Sequence, residues 1–188
     1  MGTRVRVVLL GFVLALGTAG CTNPSTAVTP SASLTSSAAG KGAQNFQLRP
    51  VIAVDTGAAV ACPSQIVVAP SPRRPHVACS IDRQTRYALG PALVTGVEVT
   101  SATPQQPANS PSWVIAVELT DAGSTALESA TRAIYQLKPP RNQVAILVDG
   151  FVVSAPAPHG PVSGGVEISG GFTRQQAQAL AGRIVSTP

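Results

Sequence analysis

The sequence predicts an α+β fold in which a mainly antiparallel β-sheet has two helices packed on one face. Three observations between Trp113 and Val185 support this prediction. Apolar runs of strand length and two segments of helical spacing follow one another in the order β-α-β-β-β-α. Asp149-Gly150, between two apolar runs, is typical of a two-residue hairpin joining antiparallel strands. Each predicted helix begins at a threonine, which is a favourable helix cap.

The stretch opens with a strand and the first helix. Trp113-Val-Ile-Ala-Val-Glu-Leu119 is apolar and rich in β-branched residues, as is typical of a strand with at least one buried face. Thr120 caps a helix predicted over 120–138, and Pro139-Pro140 ends it because proline cannot continue a helix. The helical spacing predicts an apolar face made of Ala122, Ala126, Leu127, Ala130, Ile134 and Leu137.

A hairpin and one more strand follow. Val144-Ala-Ile-Leu-Val148 is predicted to be a second buried strand. Asp149-Gly150 then turns the chain back into Phe151-Val-Val153, which returns antiparallel. Ser163-Gly164-Gly165 makes another turn before the short strand Val166-Glu-Ile-Ser169.

The last helix is predicted over 173–185. Thr173 and Gln176 form a capping box at its start, and its apolar face consists of Ala177, Leu180, Ala181, Ile184 and Val185. Backbone N–H groups just before this helix are a candidate site for an anion or a peptide carboxylate, at Gly170, Gly171, Phe172 and Thr173. The alternative is that the glycines only supply turn conformations.

The first half of the chain is less regular. The segment from Phe46 to Val54 is a candidate strand, and Gly57-Ala-Ala-Val60 is ambiguous. A turn at Gly90-Pro91 precedes a strand near Val97 to Ser101. Thr103 to Pro111, rich in Pro, Gln, Asn and Ser, is predicted to be a surface loop.

Cys62 and Cys79 are predicted to form a structural disulfide if the chain lies outside the cytoplasm. The loop from Pro63 to Ala78 contains four prolines and is predicted to have little regular structure. Closing it stabilises the fold by roughly 3 kcal/mol on the entropy model. A metal or redox site is the alternative, but the sequence has no C-x-x-C and only His76 nearby.

The N-terminus has the pattern of a targeting segment over residues 1–20. Arg4 and Arg6 precede an apolar run from Val7 to Leu16, which is too short for a confident membrane span, and small residues follow. Cys21 comes directly after Ala19-Gly20, an arrangement that resembles a bacterial lipobox, where the thiol receives diacylglycerol.

The lipobox pattern departs from its usual form at Thr18, where Leu, Val or Ile is common. Ordinary secretory cleavage beside an incidental cysteine is the alternative to lipidation of Cys21. Residues 21–44 are mostly Ser, Thr, Ala, Pro and Gly, so we expect a disordered tether. The folded domain is then 45–188, with its core at 86–185.

A search for catalytic chemistry finds no convincing set. The two histidines, His76 and His159, both lie in loop-like sequence, and Ser154 lacks a G-x-S-x-G context. No metal-ligand motif, P-loop or dinucleotide motif occurs, so no cofactor is predicted. The formal net charge of +5 is mild and scattered, which argues against nucleic acid as a partner. We therefore expect a protein that is not an enzyme.

Several spaced motifs also carry a resemblance. The run Val144-Ala-Ile-Leu-Val-Asp-Gly-Phe-Val-Val-Ser-Ala-Pro156 is followed by Gly164-Gly165 and by Ile168-Ser-Gly-Gly-Phe-Thr173. Upstream, Tyr87-Ala-Leu-Gly-Pro91 and the residues from Trp113 to Gly123 fit in the same order. Together they resemble the SecD family of translocase accessory proteins, at the head of its first extracytoplasmic domain.

The resemblance implies a surface that contacts translocating polypeptide outside the membrane. The family couples this to proton flow through a transmembrane part that we do not expect in this chain. Our first hypothesis is therefore a non-enzymatic binding module, lipid-anchored on the extracytoplasmic face of the cell membrane, for extended polypeptide. An exposed sheet edge suits that role. The alternatives are an adaptor that docks on a membrane or cell-envelope complex, an extracytoplasmic hydrolase whose site the sequence does not reveal, and a binder of a small molecule or an envelope polymer. Replacing His76 and His159 together tests the hydrolase.

Overall fold

The computed structural model describes residues 45–57 and 60–185. The predicted leader 1–20, Cys21 and the tether 21–44 lie outside the described residues. Within the described residues the strands and helices are β1 (Phe46–Thr56), β2 (His76–Cys79), β3 (Thr85–Leu89), β4 (Val94–Thr95), β5 (Val99–Gln105), β6 (Trp113–Leu119), α1 (Asp121–Ile134), β7 (Val144–Val148), β8 (Phe151–Ser154), β9 (Gly165–Phe172) and α2 (Arg174–Val185).

The larger of two sheets is built around β1. Phe46 to Pro50 of this strand pair with β7, and Val51 to Thr56 pair with β3 across a bulge. The strand order is β2-β3-β1-β7-β8, with the short β4 also paired to β1, and all these pairs are antiparallel. The hairpin predicted at Asp149-Gly150 joins β7 to β8, and both turn residues have positive φ, as this turn requires.

The larger sheet curls so that its two outer strands approach each other. Ser80, just after β2, makes a parallel bridge to Val152 of β8. The curled sheet surrounds a small hydrophobic core made of Val51, Ala78, Leu89, Ala145, Leu147 and Val152. Every residue of β7 is buried, because the strand contributes to this core on one side and to the main core on the other.

The smaller sheet has the order β5-β6-β9 and supports both helices. Ile115, Val117 and Leu119 alternate along one face of β6, and the buried hydrophobic residues of both helices belong to the same main core. The largest fully buried members of that core include Phe46, Leu48, Ile115, Leu127, Ile146, Ile168, Leu180 and Ile184. Burying each such side chain contributes about 1.5–3 kcal/mol. The α+β class is confirmed, although the strands divide between two sheets.

Helix α1 is capped as predicted but is shorter and slightly rotated. The Gly123 N–H donates to Thr120 Oγ1 at 3.2 Å, which satisfies one free amide of the first turn. The helix ends at Ile134 and not at Lys138, whose position before a proline disfavours helical backbone. Its buried face is Gly123, Leu127 and Thr131, whereas the predicted members Ala122, Ala126 and Leu137 are exposed.

The rotation of α1 has a steric cause. A Cβ on Gly123 would lie 2.7 Å from Cβ of Glu98, so only glycine lets the helix approach the 3₁₀ turn Gly96–Glu98 this closely. Helix α2 agrees better with the sequence. Ala177, Leu180, Ala181 and Ile184 are buried as predicted, but Val185 is 51% exposed.

Three segments predicted to be loop or turn belong to strands. His76 to Ala78, assigned to the irregular loop, form most of β2 because β3 supplies an antiparallel partner. Thr103 to Gln105, assigned to a surface loop, extend β5, which pairs with β6. Likewise β9 runs from Gly165 to Phe172 and takes in Gly170-Gly171. In each case pairing with a distant strand overrides the local turn signal.

The disulfide predicted between Cys62 and Cys79 is present, with Cα atoms 6.0 Å apart. It fastens the start of the irregular loop to the end of β2, and Cys79 is buried in the fold. No helix in residues 45–57 and 60–185 is long and apolar enough to cross a bilayer.

Candidate functional site

An apolar cavity of about 180 Å³ lies where the two sheets and α1 meet. Leu127 and Thr131 of α1 and Val144 and Ile146 of β7 form its floor. The remaining walls come from the segment after β8 and from the start of β9, through Pro156, Pro158, Val162, Gly165, Val166 and Glu167. Apart from Thr131 and Glu167, every lining side chain is apolar or absent, so the cavity suits a hydrocarbon group.

The segment between β8 and β9 is held in place by hydrogen bonds from its backbone to two side chains of α1 and by one to the backbone of β7. The Val162 N–H donates to Thr131 Oγ1 at 2.8 Å, and the Gly164 N–H donates to Ser124 Oγ at 2.7 Å. The Val144 N–H donates to the Pro156 carbonyl at 3.0 Å. Thr131 is buried, and its hydroxyl donates to the Leu127 carbonyl, so its polar atom is satisfied. These hydrogen bonds therefore hold this wall of the cavity in one position.

Strand β9 lines the cavity and leaves one edge without a strand. It pairs with β6 alone among the described strands. The Leu119 N–H donates to the Gly164 carbonyl at 2.9 Å, which places this pair in a hydrogen-bonded position of the ladder. Because such positions alternate in an antiparallel pair, the backbone N–H and C=O of Glu167 point away from β6, toward the open edge.

The other outer strand of the smaller sheet is less able to accept a partner. Strand β5 contains Pro104, which has no backbone N–H and is typical of a protected edge. It also packs against α2. The open edge of β9, beside the apolar cavity, is therefore the better place for an added strand in this sheet.

The predicted anion site at Gly170, Gly171, Phe172 and Thr173 forms the end of β9 and the start of α2. The Thr173 N–H donates to Gln176 Oε1 at 2.9 Å, and the Gln176 N–H donates to Thr173 Oγ1 at 3.3 Å. This is the capping box, and it occupies the two amides. The Phe172 ring covers Gly170, where a Cβ would lie 2.7 Å from Cζ. Binding at these four residues stays a prediction.

Beside this segment an arginine stacks on the single tryptophan of the chain. The guanidinium carbon of Arg174 lies 5.5 Å from the ring centroid of Trp113, a distance typical of a cation–π contact. Trp113 pairs with Phe172 across β6 and β9, and both are half-buried. The contact links the first residue of α2 to the smaller sheet.

Arg49 is a buried cation that sequence reasoning missed. Its Nε donates to Gln47 Oε1 at 2.7 Å, Nη1 donates to the Arg74 and Gly90 carbonyls at 2.8 Å each, and Nη2 donates to the Ser71 carbonyl at 2.7 Å. All four acceptors are neutral oxygens, and burial lowers the pKa of the guanidinium. A charged residue inside the apolar run from Phe46 to Val54 was the available signal.

The histidines and the serine considered in the sequence lie on different elements. His76 lies on β2, whereas His159 is exposed in the segment between β8 and β9, and Ser154 ends β8. Across residues 45–57 and 60–185, no three His, Cys, Asp or Glu side chains converge on a position for a metal ion.

His76 is expected to make the stability depend on pH. Burial, and secondarily the positive charge of Arg49, lower the pKa of His76 from its ordinary value of 6.5. Below that pH the unfolded chain therefore binds a proton that the native state resists, so the free energy of unfolding should fall as the pH decreases through and below 6.5. Urea denaturation of the parent and of His76→Gln at several pH values from about 7.5 to 5 measures this.

The substitution His76→Gln should flatten the pH dependence, since the titrating ring is gone. His159→Gln is the matched control because it makes the same substitution at an exposed histidine. An equally steep loss of stability in His76→Gln would contradict the assignment.

Together these features define a class: a small α+β domain with two capped helices and an apolar cavity beside the open edge of one strand. The model of the SecDF P1 head subdomain matches residues 73–186, and the chain belongs to this family. The resemblance seen in the sequence is thereby confirmed. The family is associated with protein translocation.

Two relatives show the extent of the similarity. Protein translocase subunit SecD of Streptomyces coelicolor is 36% identical over 118 residues, which cover 60% of this chain and 21% of the relative. Protein translocase subunit SecD of Mycobacterium tuberculosis is 30% identical over 129 residues, which cover 65% of this chain and 22% of the relative. The chain thus spans about a fifth of the length of these curated relatives.

Solved structures of SecDF share the fold. The crystal structure of SecDF in a super-membrane-facing form matches with a TM-score of 0.51 at 19% identity, over 77% of this chain and 19% of that one. A structure described as a membrane component SecDF that enhances protein export matches with a TM-score of 0.50 at 18% identity, over 76% of this chain and 63% of that one.

Proposed function

We propose that this chain is a non-enzymatic, extracytoplasmic module that binds extended or translocating polypeptide and is held to the cell membrane by a lipid on Cys21. The open edge of β9 beside the apolar cavity is the observation that carries the proposal. A polypeptide segment adds as a further strand at this edge, through the outward-facing N–H and C=O of Glu167. Main-chain hydrogen bonding depends little on the sequence of the bound segment, so many different translocating polypeptides could bind.

The cavity supplies the side-chain contact. In an added strand, alternate side chains face the cavity side, and one hydrocarbon group fits a volume of about 180 Å³. Burying one Leu, Ile, Val or Phe contributes about 1.5–3 kcal/mol before the cost of ordering the segment is subtracted. The resulting binding is weak and reversible, as is required for a polypeptide that must be released during translocation.

The proposed organisation places this domain outside the membrane on a tether. Residues 1–20 act as a lipoprotein signal peptide, Cys21 receives the lipid, and 21–44 form a flexible link to the domain 45–188. The disulfide between Cys62 and Cys79 supports an oxidising, extracytoplasmic location. The family to which the chain belongs is associated with protein translocation, which supports polypeptide as the partner.

A proline at Glu167 tests the proposal. Glu167→Pro removes the outward N–H without removing a hydrogen bond to β6, because that pair is a non-hydrogen-bonded one. We expect the affinity for an unfolded secretory protein to fall about tenfold, equivalent to about 1.4 kcal/mol. Fluorescence anisotropy with a labelled, reduced polypeptide measures the affinity.

Glu167→Ala is the matched control, since it removes the same side chain and keeps the N–H. It should bind within about twofold of the parent. Equal affinities for the proline and alanine variants, at unchanged thermal stability, would contradict binding at this edge. Co-purification of one membrane complex from detergent extracts, without any polypeptide binding, would instead support the adaptor alternative.

A further inference from the structure

We propose that the loop closed by the disulfide rests its tip, Val67 and Val68, on an anionic lipid bilayer, with Arg73 and Arg74 beside it. The two valines are consecutive and are 51% and 53% exposed. Both arginines are exposed and lie five to seven residues further along the same loop. The proposal rests on the proposed membrane location and not on polypeptide binding at β9.

The loop is braced although its backbone is irregular. The bond between Cys62 and Cys79 closes it, and Gln47 Nε2 donates to the Pro70 carbonyl at 2.7 Å. The buried guanidinium described above donates to the Ser71 and Arg74 carbonyls. A segment held this firmly has little freedom to cover its own valines. The loop therefore holds two half-exposed apolar side chains and two exposed arginines on one braced segment.

The tip lies at the same end of the domain as Asn45, the first residue that the structure describes. A Cβ on Gly150 would lie 2.5 Å from the Val67 carbonyl oxygen, so the loop packs directly on the β7–β8 turn. In the same turn, Asp149 Oδ1 accepts a hydrogen bond from Asn45 Nδ2 at 2.6 Å. Asn45 is the first described residue, so the chain from the anchor enters beside the tip.

The charges near the tip favour an anionic surface. Neither Arg73 nor Arg74 takes part in an ion pair among residues 45–57 and 60–185. The carboxylate in the adjacent turn, Asp149, is already paired with Arg183 at 3.1 Å. Each arginine held near an anionic bilayer strengthens binding about fivefold. The loop from Pro63 to Ala78 contains both arginines and no acidic residue, so its own charge is positive and complements phosphatidylglycerol headgroups.

Chain length makes a bilayer the favoured occupant. The tether proposed above for residues 21–44 would have a root-mean-square reach of roughly 27 Å, which would keep the domain close to the membrane. At the resulting effective concentration, a weak surface affinity is sufficient. The family match begins at residue 73, so the tip lies before the matched residues.

Tryptophan quenching tests the orientation directly. The full chain, carrying Trp113→Phe and Val67→Trp, is reconstituted in vesicles of phosphatidylglycerol and phosphatidylcholine with brominated acyl chains. We expect quenching at least threefold greater than for Ile52→Trp in the same background. Ile52 is the matched control because it is 50% exposed and lies seven residues along β1 from Asn45, roughly 23 Å away. Pure phosphatidylcholine vesicles, or Arg73→Glu with Arg74→Glu, should reduce the difference severalfold.

Equal quenching at positions 67 and 52 would overturn the proposal. So would quenching at position 67 that is the same with and without phosphatidylglycerol. A response of the tryptophan at 67 to added unfolded polypeptide, with none to vesicles, would also overturn it and would assign the tip to polypeptide. If Trp113→Phe fails to fold, the comparison is repeated with Trp113 retained, as a difference from the parent. The Glu167→Pro experiment measures polypeptide binding without vesicles, whereas the quenching experiment measures contact with the bilayer. Each proposal can therefore fail while the other holds.

Discussion

Arg49→Met is expected to lower the free energy of unfolding by about 4 kcal/mol, a large share of the 5–15 kcal/mol typical of a domain. The substitution leaves Gln47 Oε1 and the Gly90 and Arg74 carbonyls without a donor, and each unsatisfied buried group costs about 1–3 kcal/mol. The Ser71 carbonyl keeps only the Arg74 N–H, at 3.4 Å. Removing a buried charge offsets part of this loss. Urea denaturation followed by circular dichroism measures the change.

Two further variants separate the causes. Arg49→Lys keeps the charge but cannot reach four acceptors in a planar fork, so we expect an intermediate loss of about 2–3 kcal/mol. Arg86→Met removes an exposed arginine paired with Asp55 at 3.0 Å and should cost less than about 1 kcal/mol. A parent-like stability for Arg49→Met would show that the hydrogen bonds of this guanidinium contribute nothing.

Removing the disulfide is expected to cost about 3 kcal/mol. The bond joins residues separated by 17 positions, and the entropy of closing such a loop in the unfolded chain gives this magnitude. The double variant Cys62→Ala/Cys79→Ala avoids leaving a polar group at the buried position 79. Thermal and urea unfolding under oxidising conditions measure the loss.

Reduction of the parent by dithiothreitol is the internal control. It should shift the unfolding midpoint of the parent toward that of the double variant and leave the double variant unchanged. If the double variant unfolds within about 1 kcal/mol of the oxidised parent, the loop is held by Gln47 and Arg49 and not by the disulfide.

Local signals in the sequence were sufficient wherever one element decides its own structure. Strand β6, the Asp149-Gly150 hairpin and both threonine caps follow from propensity, positive-φ turns and cap chemistry, and the structure reproduces them. The buried faces of the helices were predicted less accurately than these local features. For α1 the prediction followed the alanines, whereas the close contact at Gly123 set the rotation.

Features that depend on distant residues were missed. Strand β2 exists because β3 pairs with it, and no periodicity in four residues could show that. The division into two sheets, the apolar cavity and the burial of Arg49 each need elements separated by many residues to meet. The open edge of β9 is likewise a property of the assembled sheet, although Pro104 on the opposite strand is a signal that could have been used.

Photo-crosslinking in living cells tests the central claim most directly. A photoreactive amino acid replaces Glu167, beside the cavity, or Gln178, which is exposed on α2. We predict that position 167 captures many different newly exported polypeptides and that position 178 captures few. The claim that the edge of β9 binds translocating polypeptide would be contradicted by equal capture at both positions. Capture of a single resident membrane protein at position 167 would also contradict it.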